Sequence, residues 1–132
     1  MADGGAPAFR VVRRTFGAVA VLAWGLVLLV YGATVVRGGS MEPTLKPGDV
    51  VVYRRGDAGL KRGDVVLFEH EGWTGGVLHR VVQIGGDGTL RTSGDANAVD
   101  DREPLRYEQV RGVAIAVIPT GRLGQAVVEA LR

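Results

Sequence analysis

The chain has 132 residues, a net charge of +2 and no cysteine. The length allows one domain rather than two, and an apolar fraction of 46% argues against a disordered chain. The lack of cysteine excludes disulfides, thiolate zinc sites and thiol nucleophiles, and the small net charge gives no reason to expect a nucleic-acid partner. Glycine accounts for 21 residues, far above the usual share of about 7%, which favours turns and β structure.

The first element in chain order is an uncharged apolar segment, residues 16–36. As a helix it would measure roughly 31 Å, which matches a hydrocarbon core of about 30 Å. A buried soluble helix seldom runs this long without a polar face, and a cleavable signal peptide has a shorter apolar region. We therefore predict a tail at 1–15, an uncleaved transmembrane helix at 16–36 and an extracytoplasmic domain at 37–132.

The arginines around this segment predict its orientation. Arg10, Arg13 and Arg14 precede it, and only Arg37 follows closely. An excess of basic residues marks the cytoplasmic side of a membrane span. We therefore expect a single-pass protein of the cell membrane, in contact with the lipid bilayer, with a cytoplasmic N-terminus and an extracytoplasmic catalytic domain.

After residue 37 the pattern changes to short β-branched runs bounded by turn residues, which is typical of strands. The predicted strands are 50–53, 65–68, 77–84, 89–92 and 113–118. The sequence Gly-Gly-Asp-Gly at 85–88 is a hairpin signal, and 125–131 is predicted as a short helix. The expected fold class is mostly β, a small β catalytic domain behind one N-terminal transmembrane helix.

Few residues are available for chemistry, and each has two interpretations. Ser40 follows two glycines, so it is either an exposed nucleophile with room for a substrate or part of a flexible linker. His79 lies in an apolar strand and is by itself typical of a core histidine. It becomes a candidate catalytic residue only if a hydroxyl and a carboxylate lie near it, as in serine–histidine–aspartate systems. His70, flanked by glutamates, is expected in a solvated loop.

Five segments in order resemble the type I signal peptidase family, and the resemblance covers most of the chain. They are 39–44 (GSMEPT), 46–50 (KPGDV), 62–66 (RGDVV), 79–82 (HRVV) and 94–101 (GDANAVDD). Most bacterial members have lysine at the position of His79. The chain therefore resembles the histidine branch, which includes endoplasmic-reticulum, archaeal and some Gram-positive members.

The resemblance implies roles for individual residues. Ser40 would be the nucleophile, His79 the general base and Asp101 the catalytic aspartate that orients His79. Asp100 is the alternative for that aspartate, and Asp95 would support the site.

Other residues are implied to support the nucleophile or to bind substrate. The supporting residues in the serine segment are Gly39, Met41 and Pro43. The substrate would bind as an added strand along 33–39 or a neighbouring edge, against Val35, Val36 and Gly38. The substrates implied are secretory preproteins with signal peptides, cut at the outer surface of the cytoplasmic membrane. No metal and no organic cofactor is implied.

One position departs from the family pattern. The family usually has a hydroxyl residue two before the nucleophile, which helps bind the oxyanion, but here that residue is Gly38. The backbone N–H of Ser40 can still donate, whereas losing one donor can lower the rate by about 10²–10³. Gly38 therefore keeps an alternative open: a catalytically weak or inactive relative that binds signal peptides or scaffolds a complex.

Overall fold

The computed structural model describes residues 7–72, 74–121 and 130, without the side chains of 7–14. Residues 1–6 of the predicted tail lie outside this part, as does the predicted helix 125–131 apart from residue 130. The chain divides into two compact units, the first ending at Val30 and the second beginning at Tyr31.

The first unit contains helix α1, Pro7–Val30. Large apolar side chains from Phe16 to Val30 are exposed, among them Leu22 and Trp24. Within the described part of the chain, no helix has both the length and the apolar character needed to cross a membrane.

The predicted helix 16–36 is wrong at both ends. Helix α1 begins nine residues earlier, and Tyr31–Val35 forms strand β1 instead of continuing it. This segment is rich in aromatic and β-branched residues, which favour a strand. It also has a partner, because it pairs antiparallel with β2, Val50–Arg55, from Tyr31 opposite Arg54 to Val35 opposite Val50.

The second unit is built on one antiparallel sheet of seven strands, as the mostly β prediction expects. The remaining elements are β3 (Val65–Phe68), β4 (Val77–Ile84), β5 (Thr89–Ser93), β6 (Leu105–Arg106), a 3₁₀ turn (Tyr107–Gln109) and β7 (Val110–Ile118). The strand order is β1-β2-β7-β3-β4-β5-β6. All five predicted strands are present; β1 and β6 were not predicted.

Two apolar clusters fill the two faces of β3. Val66 belongs to one cluster, with Val81 and Leu90, whereas its neighbour Val65 packs against the other. Adjacent strand residues point to opposite faces, so the sheet has a core on each side. The second cluster joins Val51 of β2 to Leu78 of β4, although two strands lie between them. The sheet is therefore curved.

Two glycines make room for a buried tyrosine. Gly32 on β1 and Gly112 on β7 flank Tyr53 of β2, and a Cβ atom at either position would collide with its ring. At Gly112 that atom would also lie 2.6 Å from the carbonyl oxygen of Arg54. Strand glycines often mark such close approaches, and here they let β1, β2 and β7 pair around an aromatic ring.

Candidate active site

Ser40 lies in a turn between β1 and β2 that the core holds in place. The N–H of Glu42 donates to the carbonyl of Gly39 at 3.1 Å, and the N–H of Leu45 donates to the carbonyl of Met41 at 2.9 Å. Met41 and Leu45 are each only 1% exposed. Ser40 is therefore part of an ordered turn, and the linker interpretation is wrong.

His79 brings a hydroxyl and a carboxylate together. Its Nε2 lies 3.2 Å from Ser40 Oγ, and its Nδ1 lies 2.6 Å from Asp101 Oδ2. An ionised carboxylate only accepts hydrogen bonds, so with Asp101 ionised the ring proton belongs on Nδ1. Nε2 is then the acceptor that faces the hydroxyl. The Phe68 ring packs edge-on against the imidazole, with centroids 6.1 Å apart.

Asp101 is fixed by the strand that precedes its loop. Thr92 on β5 donates its hydroxyl to Asp101 Oδ2 at 2.6 Å, and the N–H of Asp101 donates to the carbonyl of Thr92 at 2.8 Å. Asp100 is exposed. Of the two aspartates, the structure brings Asp101 into contact with His79.

Asp95 lies in a separate network that touches the serine turn. Arg80 donates from Nε to Oδ1 at 2.8 Å and from Nη2 to Oδ2 at 2.6 Å, and Thr44 donates its hydroxyl to Oδ2 at 2.6 Å. The hydrogen bonds from Arg80 lower the pKa of Asp95, against a smaller opposing effect of burial. The same hydrogen bond raises the pKa of Arg80. Asp95 thus links Thr44 to β4 without contacting His79 or Ser40 through a hydrogen bond.

The loop 94–101 packs directly on the backbone of Ser40. The N–H of Ala96 donates to the carbonyl of Ser40 at 2.8 Å. A Cβ atom on Gly94 would lie 2.5 Å from that carbonyl oxygen and 2.7 Å from the side-chain nitrogen Nδ2 of Asn97. Only glycine fits here without displacing the turn that carries Ser40.

The other predicted supporting residues lie around the same turn. Gly39 and Pro43 are exposed, Met41 is buried, and the peptide bond before Pro43 is cis. His70 is exposed, with Nδ1 2.8 Å from the carbonyl oxygen of Glu71, as the loop prediction expects.

An open groove with a volume of about 830 Å³ runs past Ser40, His79 and Asp101. Val35, Val36 and Gly38 are among the residues that line it, so the residues predicted to bind substrate border the groove. The lining also includes the end of β3 and the start of β4. Strand β1 is at one end of the sheet order, which leaves an edge for another strand to join.

The backbone at Ser40 offers one donor for an oxyanion. The N–H of Ser40 has no hydrogen-bond partner within the described part of the chain. Gly38 has no side chain to add a second donor, and nothing lies within 4 Å of where its Cβ would be.

Residues 15–72 and 74–121 contain no cluster of three histidine, aspartate or glutamate side chains that could hold a metal ion.

Three polar residues of this region had no role in the sequence prediction. Thr92 gave no signal beyond its place before the polar loop, since threonine is common in strands. Arg80 carries a charge within an apolar strand, and such a residue calls for a partner. Thr44 belongs to the serine segment, but nothing in the sequence indicates its contact with Asp95.

The arrangement has the geometry of nucleophilic catalysis. A hydroxyl faces an imidazole nitrogen, and a carboxylate holds the other nitrogen of the same ring. Groups of these three kinds serve as nucleophile, base and orienting group in enzymes that carry out acyl transfer.

Known proteins share this sequence organisation. Residues 9–108 match the family described as "Signal peptidase, peptidase S26". The chain belongs to this signal peptidase family. The match confirms the resemblance to the signal peptidase family that was drawn from the five ordered segments.

Several relatives carry the name "Signal peptidase complex catalytic subunit SEC11". The protein from Lodderomyces elongisporus is 43% identical over 70 residues, covering 51% of this chain and 42% of the relative. Those from Clavispora lusitaniae and Debaryomyces hansenii are 38% and 36% identical over 89 and 90 residues, each covering 62% of this chain and 54% of the relative. The chain thus spans about half the length of the curated relatives it matches.

Proposed function

We propose that the chain is a membrane-bound serine endopeptidase that removes signal peptides from secretory preproteins. The observation that carries the proposal is the contact series from Ser40 Oγ to His79 Nε2 and from His79 Nδ1 to Asp101 Oδ2, at 3.2 and 2.6 Å. Membership of the signal peptidase family supports the substrate class.

In the first half of the reaction, Ser40 Oγ attacks the scissile carbonyl carbon. His79 Nε2 takes the hydroxyl proton as the C–O bond forms. Asp101 keeps the ring oriented and stabilises the imidazolium. The free N–H of Ser40 donates to the carbonyl oxygen as it becomes an oxyanion. The C–N bond then breaks, His79 returns the proton to the leaving amine, and an acyl-enzyme on Ser40 remains.

In the second half, water replaces the amine. His79 Nε2 accepts a proton from the water as its oxygen attacks the ester carbonyl. The ester bond breaks and Ser40 Oγ regains a proton from His79. The products are a signal peptide with a free carboxylate and a mature protein with a free amino group, and no cofactor takes part.

The groove suits an extended peptide. A substrate strand added along 33–39 or a neighbouring edge would satisfy its backbone hydrogen bonds by pairing, against Val35, Val36 and Gly38. Because the groove passes Ser40 Oγ, a peptide bound there in an extended form presents a carbonyl to the nucleophile. Orientation of this kind accounts for much of the rate gain of an intramolecular reaction.

The N-terminal segment would attach the enzyme to the lipid bilayer. The support is the uncharged run at 16–36, the arginines before it and the exposed apolar side chains of α1. We expect one crossing of the cell membrane, with a cytoplasmic N-terminus and the β unit outside. The cleavage site of a spanning signal peptide emerges at that surface, which raises the local substrate concentration.

The decisive experiment compares the chain's two serines. Ser40→Ala should abolish cleavage of a model preprotein by the detergent-solubilised full chain, and should also abolish labelling by a serine-reactive fluorophosphonate probe. Removing this hydroxyl should leave folding intact, because most changes outside a packed core alter stability by no more than about 0.5 kcal/mol.

Ser93→Ala is the matched control, because Ser93 is the only other serine and donates weakly to the carbonyl of Gly94 at 3.4 Å. This variant should retain both cleavage and labelling. Full activity in Ser40→Ala would exclude Ser40 as the nucleophile. A wild-type chain that binds preproteins but neither cleaves them nor reacts with the probe would instead favour the inactive relative.

A further inference from the structure

We infer that Thr92 is a positioning residue of the active site, through a hydroxyl that holds Asp101 Oδ2 at the distance His79 needs. The inference rests on the proposed function and extends it to a residue outside the group of Ser40, His79 and Asp101.

The first support is that one carboxylate oxygen has two donors. Thr92 Oγ1 and His79 Nδ1 each lie 2.6 Å from Asp101 Oδ2. Both distances are short, as expected for hydrogen bonds to an ionised acceptor. The threonine hydroxyl therefore fixes the direction in which this oxygen faces the imidazole.

The second support is the sheet register. Thr92 on β5 lies opposite Val81 on β4, and Val81 and His79 share a face because they are two residues apart. Thr92 thus presents its hydroxyl on the face that carries the base. Asp101 comes from a loop, so it depends on a strand residue for its position.

The third support is burial. Thr92 is 1% exposed, whereas a quarter of the Asp101 side chain is accessible. A buried hydroxyl needs a hydrogen-bond partner, and the partner of the Thr92 hydroxyl is the Asp101 carboxylate. The carbonyl of Thr92 also accepts the N–H of Asp101 at 2.8 Å. The same residue therefore holds both the backbone and the side chain of Asp101.

Thr92→Val tests the hydroxyl with little change in shape. The full chain in detergent should show kcat for preprotein cleavage lowered roughly ten- to a hundredfold, the range of a hydrogen bond to a charged group. KM should stay unchanged, because Thr92 acts through Asp101 and not on the substrate. Thr92→Ser should restore most of kcat, since it keeps the donor.

A readout that does not need activity is the proton NMR resonance of the His79 Nδ1–H, which hydrogen bonding to Asp101 moves downfield. It should move or broaden in Thr92→Val and return in Thr92→Ser. The matched control is Thr89→Val on the same strand, where the hydroxyl contacts Asp87 in the hairpin turn. That variant should leave both kcat and the resonance unchanged.

The outcomes separate this inference from the proposed function. Wild-type kcat and an unchanged resonance in Thr92→Val overturn the inference and leave the peptidase proposal standing. A parallel loss of kcat in Thr92→Val and Thr92→Ser, with the resonance unmoved, also overturns it, because the effect would then come from packing. A wild-type chain without cleavage or probe labelling overturns both.

Discussion

At the scale of single residues, the site depends on one imidazole with two different partners. His79 is 9% exposed and hydrogen-bonds Ser40 on one side and Asp101 on the other. The chain's other histidine, His70, is exposed beside Glu71. The two histidines thus provide a test in which one variant removes the proposed base and the other removes an exposed ring that also lines the groove.

His79→Gln should lower kcat for preprotein cleavage by roughly 10²–10⁴, the usual contribution of a general base. His70→Gln should leave kcat almost unchanged. The measurement is steady-state cleavage of a model preprotein by each full-length variant at one pH, with fluorophosphonate labelling of Ser40 as a second readout. Loss of activity in His70→Gln with retention in His79→Gln would show that the proposed base is wrong.

The sequence names three side chains that the structure brings into contact, but it does not predict how they are held in place. The order of the five segments indicates Ser40, His79 and Asp101 together. Sequence alone left Asp100 as an alternative to Asp101, because only the backbone conformation of the loop decides which of two adjacent side chains faces His79. The contact of Thr92 with Asp101 depends on the sheet register and on the path of the loop, and neither is encoded in a local motif.

At the scale of elements, two neighbouring residues of β4 hold the two ends of one loop. His79 contacts Asp101 and Arg80 contacts Asp95, so the loop 94–101 is tied at both ends to opposite faces of the strand. Arg80 also donates to the carbonyl of Gly63 at 2.8 Å. The N–H of Ala96 in this loop donates to the carbonyl of Ser40. The ion pair between Asp95 and Arg80 therefore helps to keep the turn that carries Ser40 in place.

The Asp95–Arg80 pair predicts a pH dependence of stability. Arg80 lowers the pKa of Asp95 below its ordinary value of 3.8. A carboxyl whose pKa is lowered by folding stabilises the native state above its unfolded pKa, and that contribution is lost as pH falls through the folded pKa. Asp95→Asn should therefore lower the free energy of unfolding by about 0.5–1 kcal/mol near neutral pH, a modest value suited to a partly exposed pair.

The measurement is urea unfolding of the full chain in detergent from pH 7 to pH 2.5. The difference between wild type and Asp95→Asn should shrink below about pH 4. Asp87, whose pKa is lowered by the hydroxyl of Thr89, is present in both proteins and cancels in the difference. Asp100→Asn, at an exposed position of the same loop, is the control. A difference that stays constant across this range would contradict the role assigned to the ion pair.

The strands could be predicted from the sequence where a short apolar run is bounded by turn residues on both sides. Strands β3 and β4 have the predicted bounds, and β2, β5 and β7 are longer than predicted. Of the two strands that were not predicted, β1 was missed because Tyr31–Val35 continues an apolar run whose local pattern does not separate helix from strand. Its conformation is decided by pairing with β2, which lies far along the sequence, and long-range pairing overrides local periodicity.

At the scale of the whole molecule, the proposed function joins an apolar N-terminal helix to a catalytic β unit. A peptidase that cleaves signal peptides needs its nucleophile near the membrane surface, because its substrates span the bilayer. Ser40 lies ten residues after the last residue of α1. The proposed nucleophile therefore lies close in sequence to the proposed membrane anchor.

The chain's lack of cysteine makes its topology measurable with single introduced thiols. Asp3→Cys marks the N-terminal tail, and Ala58→Cys marks an exposed turn after β2. In intact cells that express each variant, a membrane-impermeant maleimide should label Ala58→Cys and should label Asp3→Cys only after permeabilisation. The reason is the arginine excess before the apolar run, which marks the cytoplasmic side of a span. The wild-type chain should also remain with membranes after extraction at alkaline pH.

The matched control adds charge to the segment. Leu22 and Leu26 are exposed on α1, and replacing both with arginine should release the chain from membranes, since each arginine at the centre of a span costs about 2.5–3.5 kcal/mol. The β unit should be unaffected, because residues of this unit form its own apolar clusters, so the released variant should still react with the fluorophosphonate probe at Ser40. Release of the wild-type chain at alkaline pH, or labelling of Asp3→Cys in intact cells, would refute the single-pass arrangement while leaving the serine–histidine–aspartate chemistry to be judged on Ser40→Ala.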